Sequence, residues 1–236
     1  MRGLVVTAVC VSAVCTCAAP SVAATPREPQ ETVVLLEPHI ARSLPYLEAP
    51  QVARISPRRP LTAVRTTLPI LSREVGADGR PWLRVLLPGR ALGRRAPPRT
   101  GWIDGAATRV SATAWSVVVD RTRRRVLVRR EGVVVRRYRA IVGAPRTPTP
   151  RGKFFVEENV RLGATRAGAP FALALSARSS VYQEFDGGPG QVAIHGRGNL
   201  GGRLGTAVSH GCIRLSDAAI GWMAARIPPG APVTIL

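Results

Sequence analysis

Long hydrophobic runs are nearly absent from this 236-residue chain. The one apolar run, within residues 1–24, follows an early charge at Arg2 and is too short to span a bilayer comfortably. It ends in small residues, and Val22, Ala23 and Ala24 fit a signal-peptidase site. We therefore expect residues 1–24 to be a signal peptide and the mature chain to be secreted, with an uncleaved membrane anchor as the alternative.

Cysteine is also scarce, with four residues in the chain. Cys10, Cys15 and Cys17 lie in the predicted signal peptide, where a lipid anchor on Cys15 or Cys17 is a further alternative. Cleavage would leave Cys212 as the single thiol of the mature protein, with no partner in its own chain. Because a free thiol outside the cell is open to oxidation, the sequence favours a functional role for Cys212.

Acidic residues are few, and 14 of them face 34 basic residues, which gives a formal net charge of +20. Lys153 is the only lysine, so nearly all of the positive charge is arginine. An exported protein of this charge should attract anionic cell-wall polymers, acidic glycans or anionic lipid head groups. Aromatic residues make up only 5% of the chain and no nucleic-acid-binding motif is present, so nucleic acid is not an expected partner.

The N-terminal half combines a proline-rich stretch with short β-like runs. Residues 25–55 are rich in proline, alanine and glutamate, which predicts a linker with a short helix around residues 40–47. Residues 56–111 predict a small all-β domain, because turn-rich pieces separate three short runs at 61–64, 82–87 and 100–103. The order W-L-R-V-L-L-P-G-R and then R-T-G-W-I-D resembles a bacterial SH3-like β-barrel.

The C-terminal half, residues 113–236, has a clearer pattern that predicts a mainly β domain with one helix. Apolar residues at helical spacing predict a helix over residues 217–227, with Ser216 or Asp217 as N-cap and a stop at Pro228. A proline-stiffened loop, G-A-P-R-T-P-T-P-R-G, follows the third predicted strand. The predicted strands are 115–120, 125–130, 133–142, 153–160, 191–194 and 231–236.

Two of the three histidines precede Cys212 at short distances: His195 lies seventeen positions before it and His210 two positions before it. In the stretch S-H-G-C, Gly211 allows a tight turn that can bring backbone N–H groups to one point. Such converging donors stabilise the oxyanion of acyl transfer. A free thiol has a pKa of about 8.5, so a neighbouring imidazole is needed to accept its proton at neutral pH. These residues indicate a thiol acyltransferase or a thiol peptidase.

Two other interpretations of these residues remain open. His195, His210 and Cys212 match the ligand types of a catalytic zinc site with an open fourth position. The spacing H-x-C, however, suits two ligands on one regular element poorly, and no further ligand cluster is visible. The second alternative is a buried structural cysteine. We expect neither a metal nor another cofactor.

The motif I-H-G, a glycine-rich interval and S-H-G-C-I-R-L together resemble the signature of the YkuD-type L,D-transpeptidases. The resemblance extends over residues 115–236 and includes the loop P-T-P-R-G-K-F. It implies a β-sandwich-like catalytic domain with the cysteine at the end of a cleft. Residues 160–170 and 176–190, rich in small residues, are the candidate lid loops.

The resemblance also implies roles for the residues of the motif. Cys212 would be the nucleophile, and His195 would accept and donate its proton, with the ring held by a backbone carbonyl. His210 would support the site, and the backbone N–H groups of His210, Gly211 and Cys212 would form the oxyanion hole.

Three further residues would line the substrate site: Ser209, Gly196 and Arg214. Gly196 stands where some family members have serine, and Arg214 where other members have asparagine. These two positions are where the sequence departs from common variants of the family.

The implied reaction is peptidoglycan cross-linking outside the cytoplasm, at the cell wall. Cys212 would attack the bond before the terminal D-Ala of a tetrapeptide stem and release D-Ala. A side-chain amine of a neighbouring stem would then resolve the thioester into a 3→3 cross-link. With water as acceptor, the enzyme would be an L,D-carboxypeptidase. A non-catalytic wall-binding protein is the third possibility.

Overall fold

The computed structural model describes residues 29–89, 99–179, 181, 184–185 and 188–236. The predicted signal peptide, residues 1–24, with its three cysteines lies outside the described residues. Within them, none of the helical structure has the length and apolar character that crossing a bilayer requires.

The N-terminal part forms a seven-stranded sheet in which every pairing is antiparallel. Its core contains Val33, Leu35, Leu68, Val85 and Ile103, each fully buried. The strands are β1 (Gln30–Leu35), β2 (His39–Arg42), β3 (Gln51–Ile55), β4 (Thr67–Val75), β5 (Pro81–Leu86), β6 (Thr100–Asp104) and β7 (Thr108–Thr113). Their spatial order is β3-β2-β6-β5-β4-β1-β7.

The linker predicted for residues 25–55 is wrong where the structure describes this stretch, because β1, β2 and β3 lie within it. This proline-rich stretch contains the short run T-V-V-L at residues 32–35 of β1, which is buried and pairs with β4 and β7. The helix predicted around residues 40–47 is also wrong. That stretch holds the end of β2 and then a series of bends that includes Pro45, a residue without a backbone N–H.

Two of the three strands predicted for residues 56–111 are confirmed, as β5 and β6. The strand predicted at 61–64 is wrong, since that segment begins in a turn and Ala63 has a positive φ of 56°. A positive φ is a turn conformation that strand residues do not adopt. The SH3-like assignment of this domain stays a prediction.

The C-terminal part forms an eight-stranded mixed sheet, two small two-stranded sheets and one helix. Its elements are β8 (Trp115–Asp120), β9 (Arg125–Arg130), β10 (Val133–Arg139), β11 (Val142–Gly143), β12 (Gly152–Arg161), β13 (Phe171–Arg178), β14 (Glu184–Phe185), β15 (Gly188–Pro189), β16 (Gln191–His195), β17 (Ala207–Ser209), β18 (Ile213–Arg214), α1 (Asp217–Ala224) and β19 (Pro232–Ile235). The order in the large sheet is β10-β9-β8-β19-β12-β13-β16-β18.

The mainly β fold with one helix is confirmed, and so are the six predicted strands, the third of them ending at Arg139. The helix begins after Ser216, whose Oγ accepts a hydrogen bond from the Ala219 N–H at 3.3 Å, as an N-cap does. It packs Ile220 and Met223 into the core. Strands β13, β17 and β18 were not predicted. Strands β13 and β18 pair with β16 on either side in the large sheet, and β17 pairs with β11 just before the motif cysteine.

Strand β12 belongs to the cores of both parts of the chain. Phe154 and Val156 lie in the core of the C-terminal sheet, and Phe155 lies in the core of the N-terminal sheet. The next residue, Glu157, is buried and forms an ion pair with Arg59. The two sheets therefore share a buried interface along β12 rather than a flexible connection.

Candidate active site

Cys212 lies in the connection between β17 and β18, directly after Gly211. Gly211 has a φ of +118°, a conformation that glycine adopts far more readily than other residues. The half-buried Sγ accepts a hydrogen bond from the Ala193 N–H of β16 at 3.4 Å. Burial raises the pKa of the Cys212 thiol, although this N–H and the charge of Arg214 act in the opposite direction. The resting side chain is therefore a neutral thiol at neutral pH.

His195 is the last residue of β16, two residues beyond Ala193, so both lie on the same side of the strand. Its Nδ1 lies 2.8 Å from the carbonyl oxygen of Gly196. Since a carbonyl can only accept, Nδ1 carries the hydrogen and Nε2 is the proton acceptor. Burial lowers the pKa of His195, and the charge of Arg214 lowers it further, while the bond to Gly196 opposes both. The site thus combines a neutral thiol with a neutral imidazole.

Ser209 organises the backbone of the S-H-G-C turn. Its buried Oγ donates to the Cys212 carbonyl oxygen at 2.6 Å and accepts from the Gly211 N–H at 3.2 Å. In this conformation the Gly211 N–H is already engaged. Its part in an oxyanion hole therefore stays a prediction, one that requires the 3.2 Å bond to Ser209 to be given up.

The proline-stiffened loop before β12 holds the same turn from the other side. The buried Thr149 donates from Oγ1 to the Gly211 carbonyl oxygen at 2.9 Å and accepts from the Gly143 N–H at 2.9 Å. Thr147 donates from Oγ1 to the Ser209 carbonyl oxygen at 2.9 Å. Sequence reasoning missed both threonines, and the only signal for them was the repeated T-P in the loop.

Two glycines pack tightly around His195. A Cβ on Gly168, which has a φ of +86°, would lie 2.6 Å from His195 Nδ1. A Cβ on Gly196 would lie 2.0 Å from the carbonyl oxygen of Ala169. Gly196 therefore leaves no space for the serine found in other family members, because its buried Cα packs against backbone. A substrate contact at Gly196 stays a prediction.

Arg214 lies directly beside His195, because β16 and β18 pair in parallel with these residues in register. One guanidinium nitrogen donates to the Gly201 carbonyl oxygen at 3.2 Å. Its Nε is buried and has no hydrogen-bond partner among the residues that the structure describes. The positive charge of Arg214 lowers the pKa of both members of the thiol–imidazole pair.

The two histidines of the motif are placed differently. His195 is half-buried at the end of β16, whereas His210 is exposed on the turn after Ser209. Within the described ranges, no three side chains of histidine, cysteine, aspartate or glutamate come together as a metal site. His195, His210 and Cys212 are therefore not arranged as the alternative zinc centre. Both candidate lid loops stay predictions, and part of residues 176–190 lies outside the described residues.

Solved structures with a similar chain include three L,D-transpeptidases. One from Mycobacterium smegmatis has 21% identity and a TM-score of 0.41, covering 72% of this chain and 99% of its own. One from Mycobacterium tuberculosis H37Rv has 17% identity and a TM-score of 0.44, covering 66% and 90%. One from Enterococcus faecium has 18% identity and a TM-score of 0.41, covering 52% of this chain. The chain spans only 50% of that Enterococcus structure.

Comparison with curated proteins found no significant match. A family model, YkuD, the L,D-transpeptidase catalytic domain, matches residues 114–235. The matched segment contains Cys212, both histidines of the motif and the proline-stiffened loop with Thr147 and Thr149, and it makes up more than half of the chain. The chain therefore belongs to the YkuD family of L,D-transpeptidase catalytic domains.

Proposed function

We propose that this protein is a peptidoglycan L,D-transpeptidase that forms 3→3 cross-links through a thioester on Cys212. The observation that carries the proposal is the placement of the Cys212 thiol against β16, the strand that ends in His195. The ring of His195 has its Nδ1 occupied by a backbone carbonyl, which leaves Nε2 free to act as a base. Membership of the YkuD family gives the substrate class.

In the first step, His195 Nε2 accepts the proton of the Cys212 thiol while Sγ attacks a peptide carbonyl. That carbonyl belongs to the diamino acid that precedes the terminal D-Ala of a donor stem. Backbone N–H groups of the S-H-G-C turn stabilise the oxyanion that forms. The imidazolium then gives its proton to the departing amine, the C–N bond breaks, and D-Ala leaves. The product is a thioester on Cys212.

In the second step, a side-chain amine of a neighbouring stem attacks the thioester. His195 accepts the proton of the amine and returns it to Sγ as the C–S bond breaks. Cys212 is restored and the two stems are joined. Because water in place of the amine gives hydrolysis, the same site supports L,D-carboxypeptidase activity as the second candidate. His210, Ser209 and Arg214 are proposed as supporting and substrate-contacting residues around this chemistry.

The proposal places the protein outside the cytoplasm, after removal of residues 1–24, in contact with peptidoglycan and with anionic wall polymers. The net charge of +20 supports the second partner, since a strongly basic protein is attracted to polyanions.

The test is incubation of the mature chain with a disaccharide-tetrapeptide, followed by mass spectrometry. A cross-linked dimer with loss of D-Ala supports the transpeptidase, and a tripeptide product alone supports the carboxypeptidase. The Cys212→Ala variant should make neither product, and turnover by that variant would overturn the nucleophile assignment. If neither product forms with the wild type, the wall-binding alternative is favoured.

Acylation by a carbapenem gives a second, independent readout. We expect one intact-mass adduct, located on Cys212. His195→Ala should abolish adduct formation, whereas His210→Ala should retain part of it. The reason is that His210 is exposed, while His195 is half-buried at the end of β16, the strand that contacts the Cys212 thiol. The reverse order would exchange the roles of the two histidines.

A further inference from the structure

The strands β8, β9 and β10 present two chemically different faces. Val117, Val119, Val126 and Val128 point to one face and are fully buried in the core. Residues that alternate with them point to the opposite face. There the pairing places Arg129 opposite Val134, Leu127 opposite Arg137 and Arg125 opposite Arg139. The opposite face of this part of the sheet therefore carries a row of arginines.

The same face continues across β19 to β12. Thr234 pairs with Val118 on one side and with Lys153 on the other, which adds the only lysine of the chain. We call the set Arg125, Arg129, Arg137, Arg139 and Lys153 the arginine face.

Acidic residues hardly offset this charge. The carboxylate of Asp120, the residue paired with Arg125 in β8, is nearly buried and already forms ion pairs with Arg123 and Arg125. Arg137, Arg139 and Lys153 are exposed, and Arg125 and Arg129 are partly so. The N-terminal sheet covers this face only beyond Lys153 on β12, where Phe155 packs into the core of the N-terminal sheet.

Arginines directly opposite each other on neighbouring strands repel, and such pairs destabilise a sheet. Arg125 and Arg139 are such a pair, and the Asp120 carboxylate, 3.3 Å from Arg125 Nε, offsets only part of their charge. An anion lying between two guanidinium groups removes this repulsion. Guanidinium forks match the geometry of phosphate oxygens and bind them in bidentate fashion. A series of such groups across several strands suits a linear polymer with repeated phosphates rather than a single small anion.

We propose that the arginine face binds a linear phosphodiester polymer of the cell wall. The inference rests on the proposed location of the protein at the wall, but not on the chemistry of Cys212. A membrane surface fits less well, because binding there uses an exposed apolar side as well as positive charge. Within the described residues, the apolar side chains of this face on β8, β9 and β10 are buried or half-buried. Leu236, directly after β19, is exposed but is a single side chain.

The test measures binding of a fluorescent glycerol-phosphate oligomer by anisotropy, at several salt concentrations. The first variant carries Arg129→Gln, Arg137→Gln and Arg139→Gln. The matched control carries Arg54→Gln, Arg84→Gln and Arg109→Gln, which removes the same charge from exposed positions of the N-terminal sheet. We expect at least a tenfold loss of affinity in the first variant, with a weaker salt dependence. The control should lose less than about threefold, since only long-range attraction changes.

Thermal unfolding of both variants establishes that they fold. If the triple variant does not, Arg137→Gln alone is compared with Arg84→Gln, and Arg137→Lys should retain most of the affinity because it keeps the charge. Equal losses in the test variant and the control would overturn the arginine face as the binding surface. Equally tight binding of polyglutamate, or of phosphatidylglycerol vesicles, would overturn the phosphate polymer as its ligand.

If the wild type does not bind the oligomer at all, both this inference and the anionic-polymer part of the proposed function fail. The tetrapeptide assay on the same preparation then reports separately whether the transpeptidase chemistry stands.

Discussion

Replacing Arg59 by methionine tests whether the N-terminal sheet is a structural part of the catalytic unit. The Arg59 and Glu157 side chains are 6% and 0% exposed, and they form an ion pair across the interface between the two sheets. Glu157 also accepts from the Gly89 N–H at 2.6 Å and from Gln191 Nε2 at 3.3 Å. The substitution removes the Arg59 guanidinium from this buried carboxylate, which keeps its other contacts.

Removing one partner of a buried pair typically costs about 3–5 kcal/mol, because the remaining charge is left uncompensated. The bonds from Gly89 and Gln191 offset part of this, so we expect a loss of about 3 kcal/mol. The exposed pair of Arg73 and Glu31, at 44% and 54% exposure, is the matched control. Arg73→Met should cost less than about 1 kcal/mol.

Urea unfolding followed by tryptophan fluorescence measures the free energy of unfolding, and the loss for Arg59→Met corresponds to a decrease in Tm of about 6–12 °C. The double variant Arg59→Met/Glu157→Gln removes the buried charge and should recover at least about 1 kcal/mol of the loss. Because Gln191 begins the strand that ends in His195, the single variant should also slow acylation by a carbapenem. A cost below about 1 kcal/mol, or a double variant no more stable than the single one, would refute this reasoning.

Gly168→Ala should lower the acylation rate by about 100-fold, because its Cβ would lie 2.6 Å from His195 Nδ1 and displace the ring; a stopped-flow rate equal to the wild type would contradict this. Thr149→Val should lower the free energy of unfolding by about 1–3 kcal/mol through two lost hydrogen bonds, and Thr149→Ser should restore it; chemical denaturation of both variants decides. The pKa of His195 in the folded state is lowered from its ordinary value of 6.5. Just below pH 6.5, the imidazole is therefore neutral in the folded state and protonated in the unfolded state. As the pH falls below 6.5, His195 should therefore reduce the free energy of unfolding, and the acylation rate should decrease only below that pH. An acylation rate that already falls above pH 6.5, or a His195→Ala variant with an unchanged profile of stability against pH, would contradict this.

Six of the C-terminal strands could be predicted because each is an alternating or apolar run bounded by turn residues. Strands β8 and β9 have the predicted bounds, whereas the helix ends at Ala224, three residues before the predicted end at Ile227. Strand β1 could not be predicted in the same way, since its four buried residues are stabilised by partners far away in sequence. Val33 pairs with Leu68 on one side and Val110 on the other.

The same limit applies to the candidate site. The spacing of Cys212 and His195 is a property of the sequence motif, so both residues were found without a structure. Thr149 acts on the Gly211 carbonyl across 62 residues of chain, and Gly168 is required because its φ is +86° and the His195 ring lies against its Cα. Contacts of this kind follow from how loops meet in three dimensions, which no local pattern encodes.

The directions of the two pKa shifts determine how the thiol is activated. A preformed thiolate–imidazolium pair requires a lowered thiol pKa and a raised imidazole pKa. Burial does the opposite at Cys212 and at His195, and the charge of Arg214 favours the thiolate while it disfavours the imidazolium. In the reaction that we propose, proton transfer would therefore accompany the attack of Sγ on the substrate, and its rate would depend on where Nε2 points. The Gly196 carbonyl and the space left by Gly168 hold the ring in that direction, so we propose both glycines as positioning residues for His195.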